Sequence, residues 1–316
     1  MNGNTGAAPG ELDLPGAHIE DTYLGLRITN WFTHYLKDVQ TAPTGPEFSH
    51  VQDWVPHAGT AAPAYGSASS YPVGAPRSYY LSGAGDLVTT ADAVRPGSVS
   101  WSNPGLGAFG SYSEVSGLQG QIPPGSLPQD TTAPNDAPGT VDAWTTQPLT
   151  TDASIVGVPT LDVRFTAPTV ATTESTGPAG QLQVFAKLYD VAPDGSKTLV
   201  NKLISLVRVT GVGKRAHIEP PGIVHRVVAG DRLQLVPAST DTAYKNAYSV
   251  QPVTVTANPA GLATLRVPIV DEGTSSPAGE GPLRKAAGKD EPSTKEPSRA
   301  RQAPPWAHLL RGWGWS

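Results

Sequence analysis

The chain of 316 residues has no cysteine and a single methionine, and only 16% of it is Asp, Glu, Lys or Arg. Without cysteine there is no disulfide framework, no thiol nucleophile and no thiolate metal site. No run of about 18 apolar residues occurs, which excludes a transmembrane helix. No Lys/Arg run with interleaved aromatics accompanies the net charge of −5 and the pI near 5.8, which speaks against nucleic acid as a partner. The first residues, MNGNTGAAPGELDLPG, have neither a cationic start nor an apolar core, so they do not read as a secretory signal. The expected location is cytoplasmic, or secreted if the chain is a fragment that has lost its leader. What is abundant is glycine, 34 residues, and proline, 32. So much proline is incompatible with a helical bundle and suits a turn-rich, mainly β domain.

Two stretches carry that reading. In VDAWTTQPLTTDASIVGVPTLDVRFTA, residues 141 to 167, the apolar Val141, Ala143, Ile155, Val158, Leu161, Val163 and Phe165 fall largely two apart, the period of a strand with one buried face. Leu161, Val163 and Phe165 point one way, and Asp162, Arg164 and Thr166 the other. In QLQVFAKLYDVAPDGSKTLVNKLISLVRV the residues Leu182, Val184, Ala186 and Leu188 alternate in the same manner. Pro193-Asp194-Gly195 then supplies a fixed φ, a side-chain cap and a residue tolerant of positive φ. Both stretches are expected to be strand–turn–strand hairpins of a β-sandwich.

The wording of three segments, TTQPLTTDASIVGVPTLDVRFTA, AKLYDVAPDG and IVHRVVAGDRLQLVPAS, resembles the C-terminal jelly-roll domain of the X-Pro dipeptidyl-peptidase family, which also holds cocaine-esterase-like and α-amino-acid-ester hydrolases. The order of the motifs agrees. RSYYLSGAGDLV resembles that domain's first strand. From Ile19 to Leu36 the period becomes helical, with Leu24, Ile28, Trp31 and Tyr35 on one stripe beside Phe32. NWFTHYLKD resembles the helix that ends the family's catalytic α/β-hydrolase domain, with Thr33 where the family usually has Asp.

The expected fold is mainly β: a jelly-roll β-sandwich with one N-terminal helix remnant and a disordered C-terminal tail. The expected division is 1–40 for the end of an α/β-hydrolase domain, 41–77 for a linker, 78–270 for the sandwich and 271–316 for the tail. In the tail, charge alternates with Gly, Pro and Ser, too little apolar surface to offset chain entropy.

The resemblance implies a Ser-Asp-His triad with the serine on a G-x-S-x-G elbow. No G-x-S-x-G occurs; the segments at 66–69, 97–100 and 110–113 have the wrong frame. Ser and Asp would both lie upstream of the helix, and Thr5 stands where the family places its histidine. His18 is closer to the helix than that position and reads as a helix-entry histidine. The expectation is no catalytic, cofactor or metal residue on this chain.

Other residues admit a functional reading beside a plainer one. Asp190, Asp194 and Gly195 in DVAPDG suggest a calcium loop, but lack the further oxygen ligands such a loop needs, so Asp194 is read as a turn residue. His217, Glu219 and His225 lie within nine residues and are read as exposed loop residues, with a divalent metal as the second reading. Tyr79, Tyr80, Trp101, Tyr112 and Trp144 either line a sugar- or peptide-binding face or plug the core. Asp152 and Arg232 fall in the family motifs, where the resemblance implies structural turns; Arg232 is expected beside a carboxylate on the outer face.

The function expected is the non-catalytic C-terminal part of an X-Pro dipeptidyl-peptidase-type hydrolase, partnered by a catalytic α/β-hydrolase domain or subunit, with self-association through the helix at 19–36. The competing reading is a free-standing carbohydrate- or surface-binding module.

Overall fold

In the computed structural model, residues 22–57, 61–103, 105, 111–112, 135–241, 244–245, 247, 249–270 and 276–277 are described. Residues 1–21, with His18 and Thr5, lie outside them, as does the expected tail apart from Ser276 and Pro277.

The fold is mainly β. One helix, α1 (Tyr23–Leu36), precedes the strands β1 (Phe48–Val51), β2 (Tyr65–Ala68), β3 (Ala75–Leu81), β4 (Asp86–Val88), β5 (Gly97–Asn103) and β6 (Ser111–Tyr112). Then come β7 (Asn135–Asp136), β8 (Trp144–Thr146), β9 (Ala153–Gly157), β10 (Thr160–Arg164), β11 (Leu182–Val191) and β12 (Lys197–Val209). The last are β13 (Arg215–Ile218), β14 (Ile223–Val227), β15 (Arg232–Ala238), β16 (Gln251–Ala257), β17 (Thr264–Val270) and β18 (Ser276–Pro277). A one-turn helix, Pro168–Ala171, follows β10.

The largest sheet runs β12-β11-β15-β8-β4-β3-β17-β10-β13, with β9 paired to β17 and β14 to β9. The β5–β16 ribbon joins it through a bridge between Thr166 and Thr254. The strands surround one continuous apolar core that includes Leu81, Trp144, Phe165, Leu182, Leu235 and Leu265. Trp144 is its largest fully buried side chain, and its indole Nε1 donates to the Ser82 carbonyl at 3.1 Å. That bond lets a polar ring edge sit in the core at little desolvation cost.

The hairpin expected at Pro193-Asp194-Gly195 is present. β11 and β12 pair antiparallel across it, Gly195 has φ +84°, and Asp194 accepts from Ser196 N at 2.9 Å. The hairpin expected around residues 153–165 is not. β9 and β10 do not pair with each other; they lie end to end along β17, Ile155 opposite Ile269 and Leu161 opposite Leu265. Gly157, at φ +137°, and Pro159 interrupt what is otherwise one strand against β17. The in–out pattern was still read correctly there: Leu161, Val163 and Phe165 are buried and Arg164 and Thr166 exposed, whereas Val158, at the break, is exposed.

β11 is buried on both faces. Leu182 and Val184 enter the main core, while Phe185, Lys187 and Tyr189 face a second core with Leu199, Ile204, Val236 and Ala238. Val141, Ala143 and Tyr244 lie over that second core, so the chain before β8 and after β15 covers a sheet face that would otherwise meet water. β12 bulges at Asn201 and Lys202, both at positive φ, and the bulge aims Asn201 Oδ1 at the β14 amide of Val224, 3.0 Å away.

The stretch expected to be a linker, 41–77, carries β1 and β2, which form a small sheet with β18; this corrects the reading of Ser276 and Pro277 as disordered. At its centre His50 is 5% exposed, opposite Gly66, and neither ring nitrogen has a hydrogen-bond partner among the described residues. A Cβ on Gly66 would lie 2.6 Å from His50 Nε2, so only glycine admits the ring. Burial holds the His50 imidazole below its ordinary pKa of 6.5. The unfolded chain therefore binds the proton more readily than the folded one. The stability His50 permits is complete above pH 6.5 and declines as the pH falls toward the lower folded value. Thermal melts between pH 7.5 and pH 5 should show a steeper acid loss for the native chain than for His50→Phe; equal slopes refute this.

Candidate interaction surface

Helix α1 begins one residue after Thr22, whose hydroxyl accepts from Gly25 N at 3.1 Å and caps the open amides. Residues 19–21, expected within the helix, lie outside the described residues. Its first turn holds it to the body: the Tyr23 ring packs on Tyr65 with centroids 4.2 Å apart, and Ala61 completes this small cluster. Arg27 donates to Ser49 Oγ at 2.5 Å and also to the Pro46 carbonyl. A His34 ring nitrogen lies 3.1 Å from the Ala42 carbonyl.

The apolar stripe that periodicity marks as the buried face turns away from the body. Trp31 is 49%, Phe32 54%, Tyr35 58% and Leu36 75% exposed, and Ile28 lies beside them. Trp31 and Tyr35 stack on each other, ring centroids 4.5 Å apart. What the helix buries instead is Tyr23, Gly25 and Asn30. An amphipathic helix that shows solvent its apolar side has the geometry of one half of an interface.

A second surface feature is a groove of about 630 Å³ between the β3–β4 hairpin and the loop after β8, lined by Arg77, Tyr79, Asp86, Arg95, Gln147 and Thr150 among others. It is polar and open, and no histidine lines it. Its serine, Ser82, is buried and accepts from Arg95 N at 3.1 Å.

The histidines singled out in the sequence separate. His217 lies on β13 and His225 on β14, on strands rather than loops. A ring nitrogen of His217, Nδ1, is 2.9 Å from Asp162 Oδ1, and Nε2 is 3.5 Å from Glu219. Asp162 also receives Arg266, with Arg215 at 3.7 Å. Burial pushes the Asp162 carboxyl up, but Arg266, His217 and Arg215 outweigh it and hold it below its ordinary value. The Asp162 hydrogen bond in turn raises His217. His225 Nε2 instead pairs with Asp190 Oδ2 at 2.8 Å and is mostly buried. Neither imidazole holds a serine hydroxyl. Among the described residues no group of three or more His, Asp or Glu is placed to hold a metal ion.

The motif residues do structural work. Asp152 accepts from Ala229 N at 2.8 Å and pairs with Arg226; the amide bond, then the cation, hold its carboxyl low despite some desolvation. Arg232 has no ion pair among the described residues, which corrects the expectation; Arg226, one strand earlier, takes that role. Leu233 and Leu235 point inward as expected. Asp231 has its carboxyl raised, first by burial and then by the neighbouring Asp190 carboxylate. Of the aromatic set, Tyr79, Trp101 and Trp144 are buried, with Trp101 edge-on to Phe165 at 6.3 Å, and Tyr80 is half-buried. The Tyr112 side chain lies outside the described residues.

No curated protein sequence matches the chain. Among solved structures it is similar to an aminopeptidase from a marine-sediment Thaumarchaeota archaeon, with TM-score 0.55 and 16% identity over 77% of this chain and 43% of that one. An α-amino acid ester hydrolase gives TM-score 0.51 at 15% identity over 76% and 44%. A CocE/NonD family hydrolase from Staphylococcus aureus gives 0.50 at 12% over 78% and 45%. At these identities the likeness shows the fold, and the chain spans less than half the length of each. Residues 60–247, more than half of the chain, match the family described as the X-Pro dipeptidyl-peptidase C-terminal non-catalytic domain. With its three motifs in order, its mainly β fold and no G-x-S-x-G in its sequence, the chain belongs to the X-Pro dipeptidyl-peptidase C-terminal non-catalytic domain family.

Proposed function

We propose that the chain is the non-catalytic half of a serine hydrolase acting on X-Pro peptides or on acyl esters and amides, and that a catalytic α/β-hydrolase domain or subunit docks against α1. The exposed stripe of α1 is the observation that carries this reading. A helix held by Tyr23 and Arg27 while Trp31, Phe32, Tyr35 and Leu36 face solvent is positioned for a partner, not for the body it stands on. Leaving ~400 Å² of apolar surface wet forgoes roughly 10 kcal/mol of burial at 25 cal/mol per Å². The burial of Tyr79, Trp101 and Trp144 disfavours the carbohydrate-binding alternative.

Two expected outcomes test the proposal. The purified chain alone gives no turnover of Xaa-Pro chromogenic dipeptides or short acyl esters; turnover abolished by a serine-directed phosphonate, in a preparation free of host esterase, overturns it. Without a catalytic partner the exposed stripe drives self-association, and Trp31→Ser/Phe32→Ser yields a monodisperse monomer in light scattering. A native chain that is already monomeric at high concentration contradicts the role given to α1.

A further inference from the structure

The centre of β11 holds a lysine where the pattern of the strand calls for an apolar residue. Lys187 faces the second core between Phe185 and Tyr189, and its side chain has no exposure at all. Two carboxylates meet it. Nζ donates to Asp136 Oδ1 at 3.1 Å and lies 2.9 Å from Asp241 Oδ2, in a contact that is an ion pair rather than a directional hydrogen bond. The Asp241 side chain is likewise unexposed, and that of Asp136 is 10% exposed. The three come from separate parts of the chain: β7, the middle of β11, and the segment that follows β15. Among the described residues one cation meets two carboxylates here, and ions drawn this far out of water rarely repay their desolvation.

We propose that Lys187 and Asp241 join in an intramolecular amide bond, with Asp136 as the proton relay. The requirements for condensation are present together. Nucleophile and electrophile are held at contact distance by a packed core, which supplies an effective concentration of about 10⁵ M or more for well-oriented groups. A carboxylate within hydrogen-bond reach of the amine takes its proton and returns it to the leaving oxygen. Bulk water, which would favour the separated ions, is excluded.

The step balances. The Lys187 ammonium passes one proton to Asp136, the free amine attacks Asp241 Cγ, and the C–N bond forms as one C–O bond breaks. Two of the three ammonium hydrogens leave with an Asp241 oxygen as water. The Asp136 carboxylate ends as it began, and no oxidant, metal or cofactor enters. Two of the three buried charges vanish, and the segment after β15 is tied to the sheet face that it covers.

The experiment is the intact mass of the full purified chain, followed by tryptic mapping. The expected result is a mass lower than the sequence value by one water. Trypsin should fail to cut at Lys187 and release a branched peptide joining residues 165–197 to 233–245. Lys187→Arg keeps the cation and the ion pairs but offers no amine, and restores the full mass. Asp136→Asn lowers the branched fraction at least about tenfold, as loss of an acid–base group does. A native chain of full mass whose Lys187 and Asp241 peptides run separately overturns the proposal, and so does a water loss that maps elsewhere. An undiminished bond in Asp136→Asn overturns the relay.

Discussion

Lys187→Met is less stable by about 3–5 kcal/mol than Lys187→Arg, which keeps the ion pairs and forms no amide; this is the usual cost of breaking a buried ion pair from one side. The methionine fits the apolar surroundings of Phe185, Tyr189 and Val236, so the loss does not come from packing. It comes from Asp136 and Asp241, which lose the lysine they both face in a site largely shielded from water. Adding Asp136→Asn and Asp241→Asn to Lys187→Met should recover half or more of the loss. Urea unfolding of the single and triple variants checks both statements. A Lys187→Met variant within about 1 kcal/mol of Lys187→Arg would mean that the carboxylates do not depend on the cation.

Trp144→Ala is the second large effect, about 3–5 kcal/mol, which in a domain of this size is on the order of a 10 °C fall in Tm. The indole fills the place where β8 crosses between β15 and β4, with Leu235 opposite it in the ladder. Its removal leaves a cavity in the main core and leaves the Ser82 carbonyl without the indole N–H it accepts from. Trp101→Ala, in the same core, has no such bond to lose among the described residues, because the Trp101 ring nitrogen is unsatisfied there. Trp144→Ala should therefore exceed Trp101→Ala by about 1 kcal/mol, a difference readable by calorimetry.

Much of this was legible before any coordinates. The two-residue period from Leu161 to Phe165 marks the inward side chains correctly, because alternation along a strand depends on that strand alone. Pro193-Asp194-Gly195 specifies its own turn through local φ preferences and one side-chain cap. The absence of an elbow serine is likewise complete in the sequence. What local reading lost is instructive. The stretch 141–167 reads as a hairpin, yet at Gly157 and Pro159 the chain only interrupts a strand, because the partner of both halves, β17, lies about a hundred residues downstream. His217 and His225 look like a group of ligands, but two strands carry them to two different carboxylates. Arg232 was expected beside a carboxylate on the outer face; the ion pair is made instead by Arg226, which the β9–β14 pairing sets opposite Ser154, two residues from Asp152.

By itself the sequence determined the class of the fold, the family and the Pro193-Asp194-Gly195 turn, since each follows from composition, motif wording or contacts between near neighbours. Tertiary structure alone decided three things. It decided which side of α1 meets the body, because Tyr23, Arg27 and His34 find their partners there. It buried both faces of β11, because distant segments fold over Phe185 and Tyr189. And it brought Asp136, Lys187 and Asp241 together in a site sealed from water, although more than fifty residues separate each carboxylate from the lysine along the chain, and no pattern of that length is readable in a window of sequence.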